Sequence, residues 1–289
     1  MDRITKALGM SLIAAALAAP VWAATPIDEK RPLEADGRVS VNNLAGVIEV
    51  SGWDRNEVAI SGQLGSDVEK LEISGDARSL VVRVRYPNKL KGGIEESELR
   101  LQVPKAAVLA LEAVSADVRV NGTRGPLTAN SVSGDVEARV DSEVVSLNSV
   151  SGDVVLEAPA RDAKLQSVSG DIRARGLQGT VEAETVSGDL QLSGRAFRSI
   201  AAQSVSGDLV LDLGLDAAAV LRAETLSGEI RARLAQAPDA VVSLKTFSGE
   251  LSGDYAGASA GIREIEKTVG AGSGRIELNS FSGDIYLGK

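Results

Sequence analysis

The sequence predicts an all-β protein, and more narrowly a parallel β-solenoid assembled from repeats of about 18 residues. Two observations lead to this fold. A five-residue unit, with the pattern apolar–Ser–Gly–acidic–apolar, recurs along most of the chain, and apolar and polar residues alternate on both sides of each copy. Alternation with a period of two is typical of strands that bury one face, so each repeat should contain one strand before the unit and one after it.

The recurring unit is regular in spacing as well as in composition. Measured between serines from Ser115 to Ser282, the steps are 18, 18, 18, 18, 19, 21, 21 and 34 residues. The first copy, Val114–Val118, is degenerate because Ala116 stands where the other copies have glycine. The candidate turn residues come from the next five copies: Ser133, Gly134, Asp135, Ser151, Gly152, Asp153, Ser169, Gly170, Asp171, Ser187, Gly188, Asp189, Ser206, Gly207 and Asp208.

Each Ser-Gly-Asp unit is interpreted as a turn between two strands. Glycine reaches positive φ without steric cost, while Ser and Asp side chains can bond nearby backbone groups. We therefore expect positive φ at Gly152 and Gly170. Stacked aspartates could alternatively bind Ca²⁺, as acidic nonapeptide repeats do. Here the acid occurs once per repeat and outside a Gly-Gly-x-Gly-x-Asp context, so the sequence predicts no metal site and no cofactor.

Two arrangements of the repeats are compatible with this pattern. In an antiparallel β meander, Ser-Gly would form a two-residue hairpin loop. In a parallel solenoid, equivalent residues stack on one another, which accounts for the near-identity of consecutive repeats. The parallel arrangement is therefore favoured, with Val132, Val150, Val168 and Val186 at equivalent positions. It also predicts a ladder of hydroxyl groups at Ser131, Ser149, Ser167, Thr185, Ser204, Thr225, Thr246 and Ser280.

The chain before the repeats divides into three parts. Residues 1–23 are typical of a signal peptide, with basic Arg3 and Lys6, an apolar run over 7–19 and a cleavage site after Ala23. Residues 24–35 are expected to be a linker. Residues 36–104 are β-rich but diverge from the repeat, and should form an N-terminal cap, with strands at 39–50, 57–63, 71–74 and 80–86.

The repeat solenoid itself should occupy residues 105–289, with a Gly/Ala/Ser-rich insertion at 252–273. Two Ala-rich stretches, 105–114 and 216–224, have good helix propensity. Both lie in phase with the repeat, where other copies have strands, so strands are expected there. Phe247 and Phe281 occupy the first apolar position of their units and are expected in the core or at a cap.

Composition excludes several classes of function. The chain has a net charge of −9, which argues against nucleic acid as a partner because phosphate binding needs a basic surface. It contains no Cys and no His, which removes disulfides, thiol nucleophiles and Ser-His-Asp mechanisms. The mature chain has no second long apolar run, so no transmembrane segment is expected. We identify no catalytic residues.

Three features together resemble a known family. They are the segment Gly46–Asp54, the later Leu101–Pro104 and the series of Ser-Gly-Asp units. In these the chain resembles the bacterial exported "putative adhesin" proteins, β-strand-repeat proteins of unknown function that are similar to head-GIN domains. The resemblance covers roughly residues 36–289. It implies a right-handed β-solenoid-like fold and a location in the cell envelope, and it supplies no catalytic residues.

The expected function is therefore that of an exported, non-enzymatic cell-envelope protein, located in the periplasm or at the cell surface of a bacterium. It would present a repetitive β surface for adhesion to, or binding of, an envelope protein or a polysaccharide. The alternative is a polysaccharide lyase or hydrolase on a β-helix scaffold. That alternative needs a distinct pair of carboxylates, whereas the repeat distributes its acids evenly along the chain.

Overall fold

The computed structural model describes residues 25–87, 94–256 and 261–289. The predicted signal peptide, residues 1–23, lies outside them. The first part of the chain forms β1 (Thr25–Pro32), β2 (Arg38–Trp53), β3 (Glu57–Leu64), β4 (Lys70–Gly75), β5 (Ser79–Arg85), β6 (Ser97–Pro104) and β7 (Val108–Asn121). None of the described segments is an α-helix of the length and apolarity that crossing a bilayer requires.

The repeats contribute the remaining strands, and all 21 strands join in one sheet. These strands are β8 (Leu127–Ser131), β9 (Val136–Arg139), β10 (Val144–Ser149), β11 (Val154–Glu157), β12 (Asp162–Gln166), β13 (Ile172–Glu184), β14 (Leu190–Ser206), β15 (Leu209–Ser227), β16 (Ile230–Leu234), β17 (Ala240–Ser248), β18 (Leu251–Ser252), β19 (Glu264–Val269), β20 (Gly274–Ser282) and β21 (Ile285–Gly288).

Consecutive repeats stack in parallel, one repeat forming one rung of the stack. β10 pairs with β8 and β12, and β11 pairs with β9 and β13, each in parallel register at an offset of one repeat. The carbonyl of Val132 accepts the N–H of Ser151 at 2.9 Å, so the turns also stack. The prediction of an all-β, mostly parallel fold is confirmed, and the antiparallel meander is wrong for the repeats.

The core lies between the strands that precede each turn and those that follow it. Because side chains alternate across a strand, every second residue points inward. In the second full repeat Val145 and Leu147 enter from the first strand, and Val154 and Leu156 from the second, all of them buried. Further along the stack, Phe197 is 1% exposed, the largest fully buried side chain among the described residues.

The longer repeats place their extra residues in the segment that closes the rung, away from the Ser-Gly-Asp turn. The pairing of β13 with β14 and of β14 with β15 shifts register between Gly194 and Ser199. Ala196 and Ala218, in the closing segments of two longer repeats, adopt φ of 55° and 65°. The Ser-Gly-Asp side of the stack therefore keeps its register although repeat length varies.

The rungs at both ends depart from chain order. β2 lies between β5 and β6 on one side and β7 on the other, so the first rung of the chain is inserted into the stack. At the far end β20 lies between β15 and β17, and β21 lies between β16 and β18. The last two motif serines are 34 residues apart because the chain first forms β17, the outermost rung. It then turns back through antiparallel β19 and finally forms β20 in the space between β15 and β17.

Antiparallel strands border the outermost rungs. β4 pairs with β5, β3 with β6, and β19 with β17. The segment predicted as a linker, 24–35, contains β1, which pairs with β3 over eight residues. The insertion at 252–273, whose residues 257–260 lie outside the described ones, contains β19. Both segments therefore help to cover strand edges. The two Ala-rich stretches contribute to β7 and β15, as the repeat predicted.

The glycines of the turn motif serve a different purpose from the one expected. Positive φ occurs at other glycines, such as Gly122 at 67°, and the prediction of positive φ at Gly152 and Gly170 is wrong. A Cβ atom at Gly152 would lie 2.2 Å from the carbonyl oxygen of Gly134, and one at Gly170 would lie 2.1 Å from that of Gly152. Glycine is required there because the backbones of successive turns approach too closely for any side chain.

This close approach predicts that Gly152→Ala is destabilising although Gly152 does not adopt the positive φ that disfavours alanine. Relief of the overlap with Gly134 must displace one turn from the next, and overpacking of this kind costs about 1–3 kcal/mol. Urea unfolding measures the loss. Ser151→Ala, a change at the exposed neighbouring residue, is the control and should stay within about 0.5 kcal/mol of the parent protein. Equal unfolding midpoints for the two variants would contradict the steric explanation.

Candidate binding groove

A ladder of hydroxyl groups fixes each turn to the one before it. The Oγ of Ser167 accepts the N–H of Gly170 at 3.0 Å and donates to the carbonyl of Gly152 at 3.1 Å. Ser149 makes the same two bonds one rung earlier, to Gly152 and to Gly134. The hydroxyl ladder comprises, in spatial order, Ser131, Ser149, Ser167, Thr185, Ser204, Thr225, Ser280 and Thr246, and these side chains are 3–7% exposed. Each hydroxyl in it donates to a carbonyl of the neighbouring rung.

The acidic residues of the motif form a second ladder, which we call the carboxylate ladder, with a structural role of its own. The N–H of Asp171 donates to Oδ1 of Asp153 at 2.9 Å, and the N–H of Asp153 donates to Oδ1 of Asp135 at 2.9 Å. The same bond recurs at Asp189, Asp208 and Glu229. The guanidinium of Arg173 bridges two of these carboxylates, at 3.1 Å from Asp153 and 2.6 Å from Asp171.

The structure thus places the three motif residues in different environments. The serines, such as Ser151 and Ser169, lie exposed at the turn, and the glycines are mostly buried between rungs. The aspartates are exposed or half-buried and accept backbone N–H groups from the next rung. Within residues 25–87, 94–256 and 261–289, no three acidic side chains converge in a way that could hold a metal ion.

The apolar residue before each motif serine points outward. We call this row the apolar ladder: in spatial order, Val114, Val132, Val150, Val168, Val186, Val205, Leu226, Phe281 and Phe247. Its members are 42–64% exposed. Phe281 and Phe247, 54% and 64% exposed, stack with centroids 4.9 Å apart and planes 9° from parallel. Of the two places expected for them, the core is wrong; they lie on the last two rungs of the stack, with their rings outward.

Strand alternation explains this orientation and could have predicted it. Leu147 points inward, Asn148 outward, Ser149 inward and Val150 outward. The hydroxyl-bearing residue therefore takes the inward place next to the turn, where its bonds to glycine satisfy it, and the aliphatic residue is left in solvent. The sequence signal for this outward orientation is the phase of the inward–outward alternation along the strand. That phase decides which way a residue points, even when the residue is apolar.

A groove runs beside the apolar ladder along the stack. Its volume is about 1120 Å³, and it spans seven rungs. Six members of the apolar ladder, from Val168 to Phe247 in spatial order, form one wall, and the hydroxyl ladder from Ser149 onward forms the floor. The opposite wall, which we call the polar ladder, consists of Asn148, Gln166, Glu184, Gln203, Glu224, Asn279 and Lys245. The groove therefore offers the same pair of chemistries, aliphatic on one side and amide or carboxylate on the other, at most rungs.

Members of the polar ladder hydrogen-bond to one another across rungs. The Nε2 of Gln166 donates to Oε2 of Glu184 at 2.8 Å, and the Nδ2 of Asn279 reaches Oε1 of Glu224 at 3.5 Å. The ammonium of Lys245 lies 3.2 Å from a carboxylate oxygen of Glu264. These bonds hold the amide and carboxylate groups in a row along the groove.

The charge next to the groove is set by ion pairs on the outer face of the same strands. Hydrogen bonds from Arg275 and then Arg222 lower the pKa of Glu277 below its usual range. Arg222 lies 2.8 Å from Glu277 across neighbouring rungs. The charge of Glu277 is therefore neutralised by its arginine partners, and the polar ladder beside it presents four amides, two carboxylates and one ammonium.

Comparison with known proteins gives one family. The family model described as Toastrack DUF4097 matches residues 48–288. No curated protein matches the chain. Among solved structures, a "putative adhesin" from Bacteroides fragilis has 14% identity and a TM-score of 0.48, covering 91% of this chain and 97% of that one. A "putative adhesin" and a "putative lipid binding protein" from Parabacteroides distasonis have 12% and 13% identity, TM-scores of 0.45 and 0.46, and the same coverage.

The hydroxyl ladder predicts a sharp difference between two serines that are two positions apart. Ser167→Ala leaves a buried N–H of Gly170 and a buried carbonyl of Gly152 without partners, which costs about 1–3 kcal/mol. Ser169→Ala removes an exposed hydroxyl and should change the free energy of unfolding by less than about 0.5 kcal/mol. Ser167→Thr should be about as stable as the parent protein, because a threonine, Thr185, already occupies the equivalent place on the next rung. Urea unfolding of the three variants tests this, and equal losses at Ser167 and Ser169 would contradict it.

The carboxylate ladder predicts that stability is independent of divalent metal. Each aspartate of the ladder accepts a backbone N–H, so its carboxylate has a stabilising partner without Ca²⁺. The melting temperature should be the same in excess chelator and in millimolar Ca²⁺. A rise of several degrees on addition of Ca²⁺ would show that the acids form a cation site.

Proposed function

The chain belongs to the Toastrack DUF4097 family, and we propose that it is an exported, non-enzymatic protein of the bacterial cell envelope that binds an extended partner, a polysaccharide or a protein, along the groove. We further propose that the parallel stack is a right-handed β-solenoid, as the resemblance of the sequence implies. The protein would act in the periplasm or at the cell surface. Its N-terminal basic residues, apolar run and Ala23 support export.

The apolar ladder is the single observation that carries this proposal. Nine aliphatic or aromatic side chains, each 42–64% exposed, form an unbroken row along the stack. Exposed apolar surface that is contiguous over many residues is typical of interaction sites. The row lies outside the core, since the same strands bury their opposite faces there. A partner that lies along the stack would cover it.

A binding role also suits the acids of the groove. Glu184 and Glu224 lie two rungs apart, and each already accepts a hydrogen bond from a neighbouring amide. A glycosidase needs two carboxyl groups on opposite sides of one scissile bond. Release of reducing or unsaturated ends from a bound polysaccharide would favour the alternative, a lyase or hydrolase.

The test compares three groove valines with three valines of other surfaces. The exported protein should cosediment with insoluble envelope material. Changing Val168, Val186 and Val205 together to Ser should lower the bound fraction about tenfold, because apolar contact area is lost. The control changes Val144, Val155 and Val210, one exposed and two half-buried outward-facing valines that do not line the groove, to Ser and should bind as the parent does. Fractionation of cells checks the location.

Binding that survives the groove triple variant would overturn the proposal, provided that both triple variants melt at the temperature of the parent protein. Recovery of the unprocessed chain from the cytoplasm would overturn the proposed location.

A further inference from the structure

The chemistry of the groove repeats once per rung. Successive parallel strands lie about 4.8 Å apart, so the seven rungs of the groove extend over about 30 Å. The register is strict on this side of the stack, since Ser204 pairs with Thr225, Thr225 with Ser280 and Ser280 with Thr246. An occupant that uses the groove fully must itself be a linear polymer whose unit length is close to one rung.

A peptide chain fits this period poorly. An extended peptide rises about 3.3 Å per residue and repeats its side-chain direction every two residues, at about 6.6 Å, which is out of step with the rungs. It also cannot join the sheet in the groove, because the backbone groups there are used between rungs. The N–H of Ser187, for example, donates to the carbonyl of Val168. Strand addition, the usual source of affinity for extended peptides, is not available.

An acyl chain fits the walls poorly. The hydrocarbon core of a bilayer is about 30 Å thick and contains two chains end to end, so one chain would fill about half of the groove. It would also press against the polar ladder. Gln203, Asn279 and Glu224 would lose water there without gaining hydrogen bonds, which is unfavourable.

The charge of the groove selects against polyanions. Its polar wall contains two carboxylates, Glu184 and Glu224, and one ammonium, that of Lys245, which already pairs with Glu264. Binding of phosphate or sulfate groups depends on arginine and lysine in number. The occupant should therefore be neutral or should carry amino groups.

We propose that the groove binds a neutral, extended polysaccharide whose chain runs along the stack with about one sugar ring per rung; this inference rests on the proposed function of the groove. Each linked pyranose ring lengthens an extended glycan by nearly the spacing between one rung and the next. Each ring has an apolar C–H face and a rim of hydroxyls. The C–H faces lie on the apolar ladder, and the hydroxyls bond to the amides and carboxylates of the polar ladder.

The length of the ligand provides the first test. The probes are neutral β-linked oligosaccharides of glucose and of N-acetylglucosamine, from two to ten rings long, titrated calorimetrically into the exported protein. Affinity should rise with each added ring up to about seven, the number of rungs in the groove, and then level off. Binding that does not depend on length, or no binding by any of these probes at millimolar concentration, would overturn the inference.

Variants provide the second test. Val186→Ser and Gln203→Ala, one on each wall of the groove, should each weaken binding of the seven-ring probe about fivefold and leave binding of the two-ring probe nearly unchanged. Val144→Ser is the control and should bind both probes as the parent does. If the wall variants bind the long probe normally, the sugar does not lie in the groove, and the inference fails.

Other occupants are distinguished by parallel titrations. Tighter binding of heparin, of palmitate or of a valine-rich decapeptide than of any neutral glycan would overturn the inference, as would a dimer that Val186→Ser dissociates. The proposed function is tested separately by the envelope cosedimentation. If the groove triple variant loses envelope binding while no neutral glycan binds, the glycan assignment falls and the proposed function stands. If envelope binding survives the triple variant, the proposed function falls.

Discussion

The close approach of successive turns at the motif glycine controls the geometry of the stack. A carbonyl from one turn lies where the side chain of the next glycine would be, and a buried hydroxyl such as that of Ser167 bonds to both turns. A neutral hydrogen bond contributes about 1 kcal/mol, so no single rung is held strongly. The register of the whole stack is nevertheless well determined, because the bonds of many rungs add up. A slip of one residue would also turn every side chain of a strand to the opposite face. The straight ladders on the outside of the stack follow from this constraint on the inside.

The sequence predicted most of the repeat architecture, because stacked repeats need only nearest-neighbour matches. The spacing of the serines indicated parallel strands, and Ala-rich 216–224 was correctly assigned to a strand despite its helix propensity. The orientation of the apolar position was missed because a period identifies equivalent residues without saying which way they face. Residue type alone therefore suggested the core or a cap for Phe247 and Phe281. Counting the alternation from Leu147 would have turned them outward and revealed one wall of the groove.

Two further features could not be predicted from local pattern. The role of Gly152 depends on the distance to another turn, which no single repeat contains. The order of the terminal rungs depends on which of two similar strands pairs with the exposed edge of the stack. β17 and β20 have the same inward pattern, Val-x-Leu-x-Thr and Ile-x-Leu-x-Ser, so sequence alone does not determine which one contacts β15. In the structure β19 returns antiparallel along β17 and covers one of its edges, and β20 occupies the place between the other edge and β15.

The insertion of the final rung affects how the protein bears load. A last rung in simple chain order would be bonded on one side only, and a pull on the C-terminus would peel it away one bond at a time. β20 and β21 are instead bonded to neighbours on both sides, so a pull on Lys289 must break two rows of hydrogen bonds together. β2 is also bonded on both sides, but β1, which precedes it in the chain, is bonded only to β3 among the described strands and has no such protection. A chain built like this resists unravelling when its C-terminal end is pulled, because the last rung cannot leave before both of its neighbours release it.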